Sequence, residues 1–323
     1  MILVLTHSRD VTTDLLLDRF EGVDVFRANI DLWRDYRWSI EPGDFWIEDP
    51  VGRVCRDSEV SAVYLRKLLF DPVYLDIPAD GNQESWCREQ VICLWEGLRD
   101  LAQQDGRLAL VKPSSLGRWS KIRQMRLAAQ FFAVPQWQIR HGNLTETNPP
   151  WSGKTVCKVM APVPIGAGGI LMVRRVEPKQ LSPDFPWFLQ EEVENAVEDV
   201  TVVYVQGKAL AFKTMRSTFT GEDCRIPTLT GEAIWEPCAL GTEEEASVCR
   251  FMEATSLEFG RLDFLRDQCG RLWFLEVNPN GQFAWLDTEG RFGVLDAVAK
   301  AILDVHRQNG ERMASAAIAT AGA

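Results

Sequence analysis

The sequence predicts an α+β protein with an α/β N-terminal lobe, and three stretches carry the prediction. The chain opens on "ILVLT", a buried-strand run, followed by "TTDLLLDRF", which suits a helix. Further on, "TVCKVMAPVPIGAGGILMV" reads as a strand, a loop rich in Pro and Gly, and a second strand. Near the carboxyl end, "GRLDFLRDQCGRLWFLEVNPNGQF" reads as an apolar hairpin. At 323 residues the chain is too long for one small domain, so two or three lobes are expected.

Residues 1–105 form the α/β lobe. Its first helix starts near Thr12 or Thr13, with Asp14 favourable in the first turn. "SAVYLRKLLF" is a further strand. "ESWCREQVICLWEGLRDLAQ" is a helix with an apolar stripe at Trp86, Val91, Leu94, Trp95, Leu98 and Leu101. Residues 106–185 form a second lobe. Residues 106–145 carry no Asp or Glu, but do carry Arg107, Lys112, Arg118, Lys121, Arg123, Arg126 and Arg140. Ser120 is placed to cap the helix "KIRQMRLAAQFF", whose stripe is Ile122, Met125, Ala129 and Phe132. Residues 186–310 form the third lobe. It comprises a strand, an acidic connector, a hairpin turning at "QGK", a helix burying Val248, Phe251, Met252 and Thr255, the apolar hairpin, and a closing helix "RFGVLDAVAKAILDVHRQN". The tail at 311–323, "ERMASAAIATAGA", is low in complexity and is expected to be disordered.

Composition narrows the function. The net charge is −11, which argues against a general nucleic-acid or anionic-membrane binder. The eight cysteines are scattered, with no C-x-x-C and no zinc spacing, as in a reduced, cytoplasmic protein. "MILVLTHSRD" lacks a basic leader, and no apolar stretch approaches the roughly 20 residues of a membrane helix.

The hairpin holds polar residues where a strand should bury side chains. With the turn at Gln268 to Arg271, Asp267 faces Leu272, Asp263 faces Glu276 and Arg261 faces Asn278. Side chains alternate with period two, so Arg261, Asp263, Glu276 and Asn278 share one face. Leu262, Phe264, Leu275 and Val277 share the other, which should be the core. Two opposed carboxylates repel, and such pairs destabilise a sheet unless a cation sits between them. Asp, Glu and Asn offer hard oxygen ligands suited to Mg²⁺ or Mn²⁺, whose shell phosphates commonly complete. The competing reading is a solvated sheet face with a few charges.

Phosphate ligands are sought upstream. Lys158 ends a strand before a loop in which Gly166, Gly168 and Gly169 allow close backbone approach. The loop is neither a P-loop nor a dinucleotide fingerprint; between antiparallel strands it suits a flap over phosphates, or an ordinary hairpin loop. "LQEEVENAVEDV" has the shape of an adenine hinge. Gln190 and Glu191 end its strand, the backbone of Glu192 and Val193 faces the base, and Glu198 or Asp199 takes the ribose hydroxyls. A solvated acidic loop is the alternative.

Lys121 on its helix, Lys158 before the glycine loop, "QEEV" with Glu198, and R-x-D with E-x-N at Arg261, Asp263, Glu276 and Asn278 together resemble the ATP-grasp superfamily over roughly residues 106–300. "FLEVNPNGQFAWLD", "DCR" at Asp223 to Arg225 and "VYLRK" look like the microviridin-type (graspetide) peptide-modifying ligases of that superfamily. The resemblance implies a three-lobed ATP-grasp fold with the nucleotide between two antiparallel-sheet subdomains. It implies ATP and one or two Mg²⁺, with Mn²⁺ as an alternative. Lys121 and Lys158 would neutralise phosphates, Asp263, Glu276 and Asn278 would hold the metal, and Arg261 would stabilise the transferring group. The partner implied is a ribosomal precursor peptide with a leader and an acidic, Thr/Ser-rich core. Arg174, Arg175, Arg216, Asp223 and Arg225 are candidates to meet that peptide. One departure stands out: this group often reads D-[IL]-R-V after the hinge, whereas here Thr201 takes the arginine position, and Arg216 or Lys213 is expected to compensate. Two other functions fit the same motifs, a ligase joining free amino acids or extending a peptide terminus, and a non-catalytic nucleotide or peptide binder. The oligomeric state is open, a homodimer included.

Overall fold

The computed structural model describes residues 1–41, 43–66, 81–110, 120–142, 149–160, 172–219 and 223–321. In chain order its elements begin with β1 (Ile2–Thr6), α1 (Val11–Leu17), β2 (Val25–Asn29), β3 (Arg37–Glu41), β4 (Asp44–Glu48), β5 (Val54–Arg56), β6 (Ala62–Leu65), α2 (Gly81–Gln104) and β7 (Leu108–Ala109). Next come α3 (Lys121–Ala128), β8 (Trp137–Arg140), β9 (Thr155–Lys158), β10 (Arg174–Arg175), β11 (Trp187–Glu191), β12 (Ala196–Val205) and β13 (Lys208–Met215). The chain closes with α4 (Arg225–Thr230), β14 (Glu236–Cys238), α5 (Thr242–Thr255), β15 (Phe259–Asp267), β16 (Leu272–Asn278) and α6 (Val294–Ala321).

Two compact units result, and they cut the chain differently from the sequence-based lobes. The first comprises Met1–Gly117, Ser256–Phe259 and Asn280–Ala323; the second comprises Arg118–Thr255 and Gly260–Pro279. In the first, β1 is central in a parallel sheet of order β2-β1-β6-β7. All five β1 residues are buried, as the opening apolar run requires. A smaller antiparallel sheet β3-β4-β5 accompanies it. On α2 the buried stripe is Val91, Trp95, Leu98 and Ala102, a 4-3-4 spacing that follows the helical period. Trp86 and Leu101, expected on that stripe, are exposed because they lie off it.

The C-terminal expectation needs correction. Residues 311–321 are not disordered; they are the last three turns of α6. Alanine has the highest helix propensity, so an Ala-rich segment continues a helix that is already nucleated. The nucleus is well built: Asp287 accepts from the N–H groups of Val294 (2.8 Å) and Leu295 (3.3 Å) at the start of α6. The opposite end of the sequence lends a second fixed point to this unit. Arg66, directly after β6, is wholly buried, and its guanidinium donates to Asn280 O (2.9 Å) and Oδ1 (2.7 Å), Gly281 O (3.1 Å) and Gln282 Oε1 (2.7 Å). The "NPNGQF" segment thus leaves the hairpin along a path set by one arginine.

The second unit is built on two antiparallel sheets, β10-β9-β11-β8 and β14-β13-β12-β15-β16. The β12–β13 hairpin turns at Gln206 (φ +43°) and Gly207 (φ +90°), the two positive values a two-residue type I′ turn demands. Helix α5 buries Val248, Phe251, Met252 and Thr255 as its spacing predicts. Helix α3 is capped by Ser120, whose side chain accepts from Arg123 N–H (3.3 Å). Its inward face is Gln124, Met125 and Ala128, whereas Ile122 and Ala129, expected inside, are exposed. Phe132 joins an aromatic cluster with Phe251, Phe264 and Phe274 at centroid distances of 5.1–5.9 Å.

Candidate active site

The β15–β16 register places Arg261 opposite Asn278 and Asp263 opposite Glu276, as the alternation predicts. Beyond Asp263 the register shifts, so that Arg266 rather than Asp267 faces Leu272. The extra residue is Leu275, a bulge on β16. The bulge re-aims the strand: Phe274 is fully buried in the core where Leu275 was expected, and Leu275 is only half-buried. Leu262, Phe264 and Val277 fill the core face as predicted.

On the polar face, protein cations already meet the carboxylates. Lys121 Nζ lies 2.5 Å from Glu276 Oε2. The docking of α3 explains this contact. Val277 N–H donates to Gln124 Oε1 (3.0 Å), and Lys121 is one turn earlier on the same helix face, over the neighbouring Glu276. Arg261 donates to Asp263 Oδ2 (2.9 Å), and Thr201 on β12 donates to Asp263 Oδ1 (2.8 Å). Burial works against the Glu276 carboxylate, but Lys121, with Lys158 and Arg261 behind it, outweighs burial and holds Glu276 well below the ordinary carboxylate range. Lys158, at the end of β9, feels the converse. Burial first, and then the charge of Lys121, push its ammonium down to about 8. Glu276, Asp223 and Asp263 pull the other way.

Lys158 shares its sheet face with Gln190. In the β9–β11 register Lys158 is opposite Phe188 and Val156 is opposite Gln190, so Lys158, Phe188 and Gln190 lie on one side. Gln190 is buried, and among the described residues its Nε2 meets no acceptor. Trp137 stacks on Phe188 at 5.6 Å beside it. The opposite side holds Trp151, Cys157 and Leu189 as a small core.

Several predicted site residues are placed elsewhere. Thr201 contacts Asp263, so alternation puts Asp199 on the same face as Asp263 and Glu198 on the opposite one. There Glu198 pairs with Lys213 (3.0 Å) and Arg266 (3.3 Å), and Arg266 pairs with Glu244 (2.6 Å). These side chains line a cavity of about 560 Å³ together with Pro237, Cys238, Ala239 and Gly241. Lys213 therefore does not stand in for an arginine at Thr201. Asp199 does reach a cation: Arg216 Nη1 is 2.7 Å from its Oδ2. Burial nonetheless lifts Asp199 to about 6.

The hinge is also partly committed. The N–H of Glu192 donates to Lys154 O (2.9 Å) and is therefore spent, whereas the Val193 carbonyl accepts one hydrogen bond, from Ala196 N–H (3.1 Å), and keeps a second lone pair. The Glu192 carboxylate takes Arg175 at 2.6 and 2.7 Å, which joins a predicted cofactor residue to a predicted peptide residue. Glu191 ends β11, and Arg174 is exposed on β10. Asp223 accepts from Val173 N–H (2.9 Å) and Arg225 N–H (3.0 Å), and the Arg225 side chain folds back onto it. Gly166, Gly168 and Gly169 lie outside the described residues; the strands flanking their loop, β9 and β10, do pair antiparallel.

The donor set suits a hard divalent ion. Two carboxylates and an amide share one strand-pair face, and the carboxylates pair with the Lys121 ammonium and the Arg261 guanidinium. Among the described residues no group of three or more His, Cys, Asp or Glu side chains forms a metal cluster. Thr201 and Gln124 were missed by sequence reasoning as parts of the site. The alternation of β12 contained the signal for Thr201; nothing local pointed to Gln124.

Comparison with known proteins fixes the fold. No protein-family model matches the sequence, and no curated protein does. Solved structures do match. A RiPP-associated ATP-grasp ligase of Chryseobacterium gregarium, in complex with ADP and a leader and core peptide, superposes with a TM-score of 0.77 at 18% identity, covering 94% of this chain and 96% of its own. The macrocyclase MdnC of Microcystis aeruginosa MRC, bound with precursor peptide MdnA, gives 0.76 at 19% identity, covering 94% and 99%. The D-cycloserine synthetase DcsG gives 0.53 at 17%, covering 95% and 100%. The chain has the ATP-grasp fold. Among the described residues no helix is long and apolar enough to cross a membrane.

Proposed function

We propose that the chain is an ADP-forming ligase that activates Asp or Glu side chains of a ribosomally made precursor peptide and joins them to Ser or Thr hydroxyls or to Lys amines within that peptide. One observation carries the reading: an opposed Asp263–Glu276 pair faced by Lys121, Lys158 and Arg261, on an ATP-grasp fold. The two solved neighbours with peptide ligands match this chain better than the small-molecule ligase does, which supports a peptide acceptor over free amino acids. Intact lysines and carboxylates weigh against a non-catalytic binder.

Asp263, Glu276 and Asn278 would hold Mg²⁺, which supplies charge neutralisation to the terminal phosphates of bound ATP. Lys121 and Lys158 bind phosphate oxygens and Gln190 lies on the same face as Lys158, toward the base. A substrate carboxylate oxygen attacks the γ-phosphorus of ATP, and ADP leaves. The acceptor hydroxyl or amine then attacks the acyl carbon, phosphate leaves, and the acceptor loses a proton. Arg261 is placed to stabilise oxygens that gain charge in these steps. Asp223 and Arg225 present a carboxylate–guanidinium pair to the peptide.

The test is mass spectrometry of a short peptide encoded beside this gene, rich in Thr/Ser and Asp/Glu, after incubation with ATP and Mg²⁺. Loss of one water per bond formed is expected. An unchanged peptide, together with ADP release driven by free amino acids, overturns the peptide assignment.

A further inference from the structure

We infer that the outer edge of the β3-β4-β5 sheet is where two copies of this chain meet, each β3 pairing antiparallel with the other about a twofold axis at Ser39.

β3, with the sequence "RWSIE", is an edge strand: it pairs with β4, and among the described residues no strand lies on its other side. Its backbone is set for a partner. Glu41 and Asp44 close a two-residue connection and so form a hydrogen-bonded pair. Alternation makes Ser39–Trp46 and Arg37–Glu48 hydrogen-bonded pairs as well. The N–H and C=O groups of Trp38 and Ile40 then point away from β4, and an open row of this kind is a template for a further strand.

The side chains say which strand fits. Trp38 and Ile40 lie opposite Ile47 and Phe45 of β4, both buried, so they belong to the core face. They are nevertheless 40% and 38% exposed, because β3 has no outer neighbour to cover them. Arg37, Ser39 and Glu41 share the other face. Read from either end the strand has one pattern, with the charge reversed: ion, apolar, small polar, apolar, ion. In an antiparallel pair of two β3 strands centred on Ser39, Arg37 of each copy faces Glu41 of the other, and Trp38 faces Ile40. Opposite charges and an aromatic against a β-branched residue are both favourable cross-strand pairs. This register also joins the outward backbone groups of Trp38 to those of Ile40 in the other copy. Registers displaced by two residues lose both matches. One sets Trp38 against Trp38 and Asp35 against Glu41; the other sets Ile40 against Ile40 and Ser39 against Glu41. A one-residue slip turns the apolar face against the polar one. The Arg37 side chain also meets Glu48 on β4, but it stays 75% exposed and is open to a second carboxylate. Charges on a sheet edge commonly repel other edges; these two admit a second copy. So short an edge buries less than a typical stable interface, so the association is weak and concentration-dependent.

The test is sedimentation velocity over rising protein concentration, for wild type, Arg37→Glu, Glu41→Arg and an equimolar mixture of the two variants. Wild type should dimerise reversibly. Each variant alone sets like charges against each other at both ends of the strand pair, and its dimer dissociation constant should rise by about tenfold or more. The mixture should recover wild-type affinity, because one copy then carries two anions on β3 and the other two cations. In wild type, amide hydrogen exchange at Trp38 and Ile40 should slow as concentration rises, which reads the edge with no substitution at all. A wild type that stays monomeric, or that dimerises without protecting these two amides, overturns the inference. So does a dimer that neither variant weakens, or a mixture that associates no better than its components.

Discussion

Two sets of cations in this molecule, one sealed and one partly buried, are built in opposite ways. Arg66 in the first unit is sealed from solvent and surrounded by neutral oxygens of residues 280–282, with the Phe283 ring 5.4 Å away and Asp10 at 3.8 Å. Lys121 and Arg261 in the second unit are paired to carboxylates that remain partly open to solvent. The first arrangement leaves nothing for a ligand to exchange; its four hydrogen bonds go to backbone and side-chain amide oxygens of one short segment. On the proposed ligase reading, the second holds its cations against the carboxylates assigned to the metal. A buried arginine is structural when its partners are carbonyls of one segment, and functional when its partners would themselves be metal ligands.

The sharpest way to break this contrast is Glu276→Gln. Peptide-dependent ADP release should fall by roughly a thousandfold or more, as when a charge holding the reacting phosphates is removed. The midpoint of denaturation should barely move, because a half-exposed ion pair is worth about 1 kcal/mol or less. Retained turnover would show that this face is not the active site. Arg66→Met should do the reverse. It leaves carbonyls and Asp10 unpaired in the interior, so urea denaturation should report a loss of about 3–5 kcal/mol. A loss under about 1 kcal/mol would place Arg66 outside the load of the fold.

A smaller effect tests the support behind the carboxylates. Thr201→Val removes the hydroxyl that orients Asp263 and keeps the shape of the side chain. The Mn²⁺ concentration needed for half-maximal turnover should rise by about 10–100-fold, and Thr201→Ser should restore it. An unchanged metal requirement would remove Thr201 from the site. The smallest effect concerns proton uptake at Lys158, whose ammonium is pushed down to about 8 by burial and by the charge of Lys121. Bound phosphate favours the ammonium, so binding needs no proton below that pH and must take one up above it. Calorimetry should find ADP affinity level up to about pH 8 and then falling, by at most about tenfold per pH unit. Lys158→Arg should abolish the fall.

The fold was legible wherever a period sufficed. The buried β1, the I′ turn at Gln206–Gly207 and the inward face of α5 all follow from local pattern. The stripes on α2 and α3 were read less well. Trp86, Leu101 and Ile122 are apolar, but a helix face is defined by angle and by what packs on it, not by hydrophobicity alone. The tail was misread because low complexity was weighed above the helix propensity of alanine.

The sequence by itself determined that Asp263 and Glu276 belong to one strand pair near a turn, but their direct opposition needs the Leu275 bulge beside Glu276, which offsets the one-residue shift at the turn where Arg266 rather than Asp267 faces Leu272. Only the tertiary structure decided what answers those charges. Lys121 meets Glu276 across 155 residues of chain, and Thr201 meets Asp263 across 62. It also put Glu198, expected to take ribose hydroxyls, and Lys213, expected to compensate for the arginine missing at Thr201, on the sheet face opposite Thr201 and Asp263. The physical reason is the range of the forces involved. Backbone geometry fixes which way neighbouring side chains point, whereas the pairing of distant charges depends on how helix and sheet pack, and no short stretch of sequence contains that information.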